Sequence, residues 1–576
     1  MNSDRLLEHY ARIADAPDAI ARLRRFILDL AVRGKLLPQE PKDEPASELL
    51  KRIAAEKMQL MRAGEIGKEK PLPPVDADAD FDVPSCWRWT RLGIVTSYIQ
   101  RGKSPKYAAS DGALVVSQKC VQWRGLDLAV AKQVTFESLT DYEKIRFLRD
   151  GDLLWNSTGT GTIGRVIQLV DPPDRLVCDS HVTVVRCLEV DPEYIRTWLR
   201  SDNVYALIED RAAGSTNQVE LTAQMAINQV VPLPPLAEQY RIVAKVNELM
   251  ALCDRLEAAR GSREAVRDRL AAASLARLNA PDPETLKADA RFALGALPAL
   301  TTRPDQIRQL RQTIVNLAVR GKLVPQDPND EPASKLLKRI AEAKAERKKE
   351  TGDARINMEP DPKPDQLAMA LPRGWAVQSF ENLFLFIDYR GHTPPKTDEG
   401  IPFITAKNIR MGYLNREPRE YISKATFKTW MTRGFPEIGD LFFTTEAPLA
   451  NICLNNIEEP FALAQRAICF QPYAKIDTKF LMFNLMSDVM QSLIDKHATG
   501  MTAKGIKAAK LKPLPIPIPP LAEQHRIVAK VDAMMALCGR LEASLTATAA
   551  ARRRLLDALL AEALTPVDAR EMEAAE

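Results

Sequence analysis

Residues Gly159 to Gly164 spell G-T-G-T-I-G, the glycine spacing that lets a strand-to-helix turn bring backbone N–H groups up to a dinucleotide pyrophosphate. That chemistry needs a helix to follow. Here the next residues, 165–170, read RVIQLV, a β-like run, so we read a glycine-rich turn. Asp171-Pro-Pro-Asp174 approaches the Asp/Asn-Pro-Pro-aromatic motif with which amino-methyltransferases stack on a flipped base, but Asp174 has no ring to stack. Five histidines, His9, His181, His392, His497 and His525, share no spacing suited to proton transfer or metal binding. Eight cysteines are scattered without a CxxC pair, which fits a reducing cytoplasm better than a disulfide framework or a zinc site. No Walker A lysine loop is present. The chain is therefore expected to hold no catalytic group, cofactor or metal of its own.

What remains is a set of loops rich in hydrogen-bond donors and stacking groups. Segment 100–107 offers Arg101, Lys103, Ser104, Lys106 and Tyr107; 117–125 offers Gln118, Lys119, Gln122, Trp123 and Arg124; 156–165 offers Asn156, Ser157, Thr158 and Arg165. Further along, 388–397 offers Arg390, His392, Thr393 and Lys396; 405–412 offers Lys407, Asn408 and Arg410; 502–512 offers Thr502, Lys504 and Lys507. Arginine forks onto guanine, asparagine and glutamine onto adenine, and lysine onto guanine or phosphate. These side chains are candidate contacts to double-stranded DNA; for any single Arg or Lys among them the alternative is a merely solvated side chain. Net charge does not decide the matter, because 80 Lys+Arg against 76 Asp+Glu leaves only +4.

The elements that must position these loops are written twice. LAVRGKLLPQ at 30–39 recurs as LAVRGKLVPQ at 317–326, and DEPASELLKRIA at 43–54 as DEPASKLLKRIA at 330–341. LAEQYRIVAKVNELMALCDRLEA at 236–258 recurs as LAEQHRIVAKVDAMMALCGRLEA at 521–543, with 18 of 23 positions identical. The offsets (317 − 30 = 287, 330 − 43 = 287, 521 − 236 = 285) define one duplicated unit, too long for a solenoid repeat. Between the blocks the copies diverge to scattered anchors: Trp87 with Trp375, Gly102 with Gly391, Lys119 with Lys407, Gly151-Asp-Leu153 with Gly439-Asp-Leu441, and Gly214 with Gly500. Each half is thus a shared frame around a variable insert. Neutral drift of a tandem repeat does not explain why the frame is spared while most of the insert is rewritten.

Prolines at 232–235 and 517–520 end each insert and signal a helix start. Ile242, Val246, Leu249, Cys253 and Leu256 then step by 4, 3, 4, 3, as do Ile527, Val531, Met534, Cys538 and Leu541. That spacing makes a coiled-coil seam. A pseudo-two-fold relation between the halves would pair the two seams antiparallel; the alternative is that each helix packs on its own insert. A helix of ~40 residues spans on the order of 60 Å, enough to hold two reading modules more than one turn of DNA apart. Upstream, 18–36 and 305–323 read as helices closed by Gly34 and Gly321, and Asp43 and Asp330 stand where an N-cap would. Segments 57–79 and 342–364 read as exposed linkers or frayed helix ends. No apolar run approaches the ~20 residues needed to cross a bilayer, and the charged start MNSDRLLEHY is no secretion signal.

The paired blocks, above all PPLAEQ-x-RIV after a proline-rich strand, resemble the conserved regions of type I restriction–modification specificity subunits. The resemblance covers essentially the whole chain. It implies an α+β fold with two mixed α/β target recognition domains, separated by long helices that form an antiparallel coiled coil. The expected division is 1–83 (N-terminal helices), 84–231 (first recognition domain), 232–280 (central helix), 281–371 (linker and repeated helices), 372–515 (second recognition domain) and 516–576 (last helix and tail). It further implies a cytoplasmic, non-catalytic subunit that reads a bipartite DNA target, carries two methyltransferase (modification) subunits and is joined by restriction/translocase subunits. Methyl donor, ATP and magnesium would reside on those partners. The family's loop before the last strand is matched by 212–218 and 498–504, which adds Thr216, Asn217 and Gln218 to Thr502 as expected DNA contacts; Met501 departs from the pattern. A structural adaptor that uses the coiled coil without reading DNA is the alternative, and a self-sufficient modification enzyme lacks its motifs.

Overall fold

The computed structural model describes residues 10–13, 15–67, 70–75, 81–108, 112–159, 161–205, 208, 220–280, 282, 284–357, 360–363, 366–367, 369–389, 393–500 and 504–564. It divides into two compact units, Met1–Ser262 with Ala549–Glu576, and Arg263–Thr548. Among the described residues the repeated blocks of the frame form α1 (Ala19–Val32), α2 (Ala46–Arg62), α3 (Leu236–Asn279), α4 (Pro304–Val319), α5 (Ala333–Thr351) and α6 (Leu521–Leu564).

The repeated sequence makes repeated contacts. Helix α1 closes on Gly34 at φ 66°, with Lys35 N–H donating to Leu30 O; α4 closes on Gly321 at φ 63°, with Lys322 N–H donating to Leu317 O. These left-handed caps suit glycine, and a Cβ at either position would lie 2.5 Å from the Cγ of Pro84 or Pro372. Asp43 and Asp330 are not N-caps as expected: α2 and α5 begin at Ala46 and Ala333 behind prolines. Their carboxylates instead take the guanidinium groups of Arg241 and Arg526, tying each upstream block to the long helix of its own repeat. The expectation of exposed linkers at 57 and 344 also fails. Lys57 and Lys344 are buried, their ammonium groups donating to Gly93 O and Glu381 O. A buried ammonium is tolerated where carbonyls replace its water.

In the first unit Ile242, Val246 and Cys253 are buried with Ile27, Leu28 and Ala31 of α1, Leu249 packs against them, and Leu256 stays 39% exposed. In the second, Ile527, Val531 and Cys538 are buried with Ile307, Ile314 and Val315 of α4, with Met534 and Leu541 at the edge. Within each unit the seam thus finds the repeated upstream helix, a partner the spacing alone did not single out. Arg24 of α1 reaches Asp254 and Glu257, and Arg260 reaches Ala16 O, so α1 runs antiparallel to this stretch of α3. On its other side α1 runs parallel to the end of α6, through Asp18–Arg553, Arg22–Asp557 and Lys35 Nζ to Leu564 O.

Each insert begins and ends in one antiparallel strand pair, Arg88–Arg91 with Val230–Leu233 and Ala376–Ser379 with Pro515–Ile518. Between them lie a small two-stranded hairpin and two larger sheets of related topology, the mixed one carrying an extra edge strand, Tyr107–Ala108, in the first insert. In the first insert Thr96–Arg101, Val182–Cys187, Leu153–Asn156 and Val166–Gln168 form an antiparallel sheet in that order, matched by Phe384–Asp388, Ala467–Pro472, Leu441–Thr444 and Ile452–Leu454 in the second. The other sheet is mixed: Ala113–Val116 pairs parallel with Val177–Cys178 and antiparallel with Lys132–Val134, as Ile401–Ile404 pairs with Ala462–Leu463 and Tyr421–Ile422. These strands are buried on both faces in places (Leu153–Asn156 and Leu441–Thr444 throughout), which is why they read as apolar runs rather than clean alternation.

Candidate nucleic-acid interface

Three loops singled out in the first insert do come together. Pairing of Thr183 with Arg101 sets the 100–107 segment beside the turn at 179–181. Arg101 donates to Ser180 O, Ser104 Oγ bonds Ser180 Oγ, and Tyr107 reaches Asp179. Burial raises the Asp179 carboxyl above its ordinary range, against the lowering effect of the His181 N–H it accepts. The 117–125 and 156–165 loops interlock nearby: Asn156 Nδ2 donates to Gln118 O, Arg165 donates to Gln122 Oε1 and Gly161 O, and Thr158 Oγ1 shares a 2.7 Å bond with His181 Nδ1.

This network changes the role of several expected contacts. Asn156 and Ser157 are fully buried, Thr158 is 5% exposed, and Gln118 is half-buried with its amide oxygen accepting from Thr158 and Thr162. Buried groups already committed to one another cannot reach a base edge; they brace the loops. What stays outward is Lys103, Ser104, Lys106, Tyr107, Lys119, Trp123 and Arg124. Arg165 is half-buried and belongs to the brace. Lys132 lies over the Tyr107 ring at 4.4 Å and Arg200 over the Trp123 ring at 5.7 Å, and neither cation was expected from the sequence. Burial lowers the Arg200 pKa to about 10. Tyr205 meets Trp123 edge-on at 5.3 Å. The folded order of strands assembles these three, so no local pattern could have named them.

The second insert repeats the plan with other residues. Asn408 is buried, its Oδ1 accepting from Thr405 and its Nδ2 donating to Asn415 O and Pro418 O, so it too is a brace rather than a contact. Lys396 and Lys407 are outward and share Glu420, at 2.8 and 3.6 Å. Lys504 pairs with Asp495, Thr393 accepts from Gln465, Lys507 is exposed, and Arg410 is half-buried. The Lys504–Asp495 pair is exposed on both sides and contributes at most about 1 kcal/mol, whereas the Glu420 side chain that Lys396 and Lys407 share is 14% exposed. Tyr413 and Met411 stand out beside Arg410, unforeseen from the sequence. Thr216, Asn217, Gln218, Arg390, His392 and Thr502 lie outside the described residues. The G-T-G-T-I-G segment joins two antiparallel strands, a turn as read. Among the described residues no group of three or more His, Cys, Asp or Glu is placed to hold a metal, and no helix is long and apolar enough to cross a membrane.

Residues 372–549 match the family model described as the type I restriction modification DNA specificity domain. The chain is 30% identical over 569 residues to the type I restriction enzyme EcoAI specificity subunit of Escherichia coli, covering 94% of this chain and 93% of that one. It is 29% identical over 580 residues to the EcoEI specificity subunit of the same species, covering 95% and 94%. Among solved structures, the HsdS subunit from Thermoanaerobacter tengcongensis superposes with a TM-score of 0.43 at 21% identity, covering 84% of this chain and 98% of that one. Identity of 30% to the EcoAI subunit, over 94% of this chain and 93% of that one, establishes that this chain belongs to the specificity subunits of type I restriction enzymes.

Proposed function

We propose that this chain reads DNA sequence for a type I restriction–modification complex, each insert recognising one part of a bipartite duplex target. The observation that carries the reading is the contrast within the chain. Two inserts share one topology and one set of frame contacts, yet their outward loops differ almost residue for residue. A fold kept while its donors change is what two different base sequences would require. On this reading the frame helices carry two modification subunits and admit restriction subunits for cleavage, in the cytoplasm. Methyl donor, ATP and magnesium belong to those partners, and this chain catalyses no step.

The test is an exchange of residues 88–233, so that both closing strands travel together, for the equivalent insert of another specificity subunit. Host methylation is then mapped by sequencing. One part of the methylated sequence should change and the other persist. An unaltered methylated sequence would sink the proposal.

A further inference from the structure

Both inserts carry a small two-stranded hairpin. In the first, Val121 pairs with Leu126 and Gln122 with Gly125, leaving Trp123-Arg124 as a two-residue turn. In the second, Ile409 pairs with Leu414 and Arg410 with Tyr413, leaving Met411-Gly412. Gly412 (φ 87°) supplies a left-handed residue within its turn, and Gly125 (φ 131°) one immediately after the turn in the other copy. The bases are fixed in the same way. Val121 and Ile409 are fully buried, and one further bond extends each ladder: Asp127 N–H to Cys120 O at 2.8 Å, and Asn415 N–H to Asn408 O at 2.7 Å. Each hairpin is also pinned to the turn after the neighbouring strand, by Arg165 to Gln122 Oε1 in one copy and by Asn451 Nδ2 to Ile409 O and Gly412 N–H to Ile452 O in the other.

The tips are the opposite of the bases. Trp123 is 40% exposed, Met411 38% and Tyr413 60%, and the Arg124 side chain is 81% exposed. Each tip sits among cations: Arg124, Lys119 and Arg200 in the first copy, Arg410 and Lys407 in the second. A rigid base with an apolar, cation-flanked tip is costly to leave in water and unneeded for folding. It is complementary to a polyanion with apolar base edges. A two-stranded ribbon also fits the width of the DNA major groove. Resting on the reading of this chain as a DNA-sequence reader, we infer that these two hairpins are its groove-entering elements. Arg124 and Arg410 meet guanine edges or flanking phosphates, and Trp123, Met411 and Tyr413 meet the apolar base edges, thymine methyls among them.

The experiment uses the full chain assembled with its modification subunits. The probe is a duplex bearing the bipartite sequence that the assembled complex is found to methylate, compared with duplexes scrambled in one part. Arg124→Ala and Trp123→Ala should weaken binding to the intact target roughly tenfold. They should leave binding unchanged for the duplex scrambled in the part the first insert reads. Met411→Ala and Tyr413→Ala should do the same for the other part. Dimethyl sulfate protection of guanine N7, which lies in the major groove, should be lost at the matching positions. Arg124 is the control for folding, since its side chain is outward and only pairs with Asp127. Wild-type affinity and unchanged N7 protection in all four variants would overturn the inference and leave the DNA-reading proposal standing. A wild-type complex that binds intact and scrambled duplexes alike would overturn both.

Discussion

The two copies of the frame and the two copies of the insert have drifted in opposite senses, and the contacts explain why. Where the copies agree, each residue touches another agreed residue. The indole N–H of Trp87 donates to Glu238 Oε2 at 2.9 Å, and that of Trp375 to Glu523 Oε2 at 3.0 Å. Gln239 accepts from Asp191 N–H and donates to Pro234 O; Gln524 accepts from Asp477 N–H and donates to Pro519 O. The L-A-E-Q-x-R-I-V block is therefore a junction: its glutamate holds the insert's tryptophan, its glutamine the start of an insert helix, and its arginine the upstream block. The glutamate, glutamine and arginine of the block each hold a polar partner in both copies, so one substitution strands another group. The outward loops have no such constraint.

The sharpest way to break this comparison is to remove the shared tryptophan. Trp87→Ala should cost the first unit about 4 kcal/mol, from lost burial and from a buried glutamate that loses its donor. Trp375→Ala should cost the second unit a similar amount. Burial raises the carboxyl pKa of both Glu238 and Glu523, so each is already held at some expense. Denaturant unfolding followed by fluorescence measures both. A difference larger than about 2 kcal/mol between the variants would mean that equal contacts do not carry equal weight.

A second comparison lies where the anchors agree but their partners do not. Asp152 and Asp440 occupy the same Gly-Asp-Leu step. Asp152 is fully buried against Arg186, which bonds both carboxylate oxygens at 2.7 Å. Among the described residues no cation pairs with Asp440; it accepts from Glu437 N–H, Cys469 and Gln471, and burial lifts its pKa from 3.8 to about 6. Arg186→Gln should cost the first unit about 3 kcal/mol, because it leaves a buried charge unpaired. The second unit should show the converse. Since Asp440 holds its proton more tightly folded than unfolded, its contribution to stability is fullest below about pH 4. That contribution is lost as pH rises through about 6. Asp440→Asn should abolish that part of the pH dependence, read from melting temperatures between pH 4 and 8. A loss of stability in the variant growing toward pH 8 would contradict the assignment.

How much of this was legible follows from the same division. The duplicated blocks, the two inserts and the helix seams are one-dimensional patterns, and identity or spacing exposes them. The partner of the seam was not legible, because 4, 3 spacing gives a face and not what covers it; α1 and α4 cover it. The candidate contacts rest on residue type alone, and Asn156, Ser157, Thr158 and Asn408 turn out to be buried. Polar residues in a loop serve as donors to a ligand or as braces, and only the fold decides between them. His181, Lys132, Arg200 and Tyr205 join the site across strands, from segments with no motif at all.

The smallest effects test whether loop conformation or loop contact separates the copies. Gly164 and Ala450 hold the same place, each N–H donating back to the residue that ends the preceding strand, Asn156 or Thr444. Both are left-handed, at φ 82° and 61°. Alanine is therefore tolerated in this conformation, at a cost of roughly 1–2 kcal/mol. In the first copy a Cβ at Gly164 would also come within 3.0 Å of the Tyr205 ring, the ring that flanks Trp123. Gly164→Ala should thus cost about 2 kcal/mol and shift Trp123 emission. Ala450→Gly should leave stability within about 0.5 kcal/mol, because relief of strain is offset by a lost buried methyl and by the greater chain entropy of glycine. If Gly164→Ala proves as neutral as its counterpart, Tyr205 yields freely, and it is not what holds Trp123 in place.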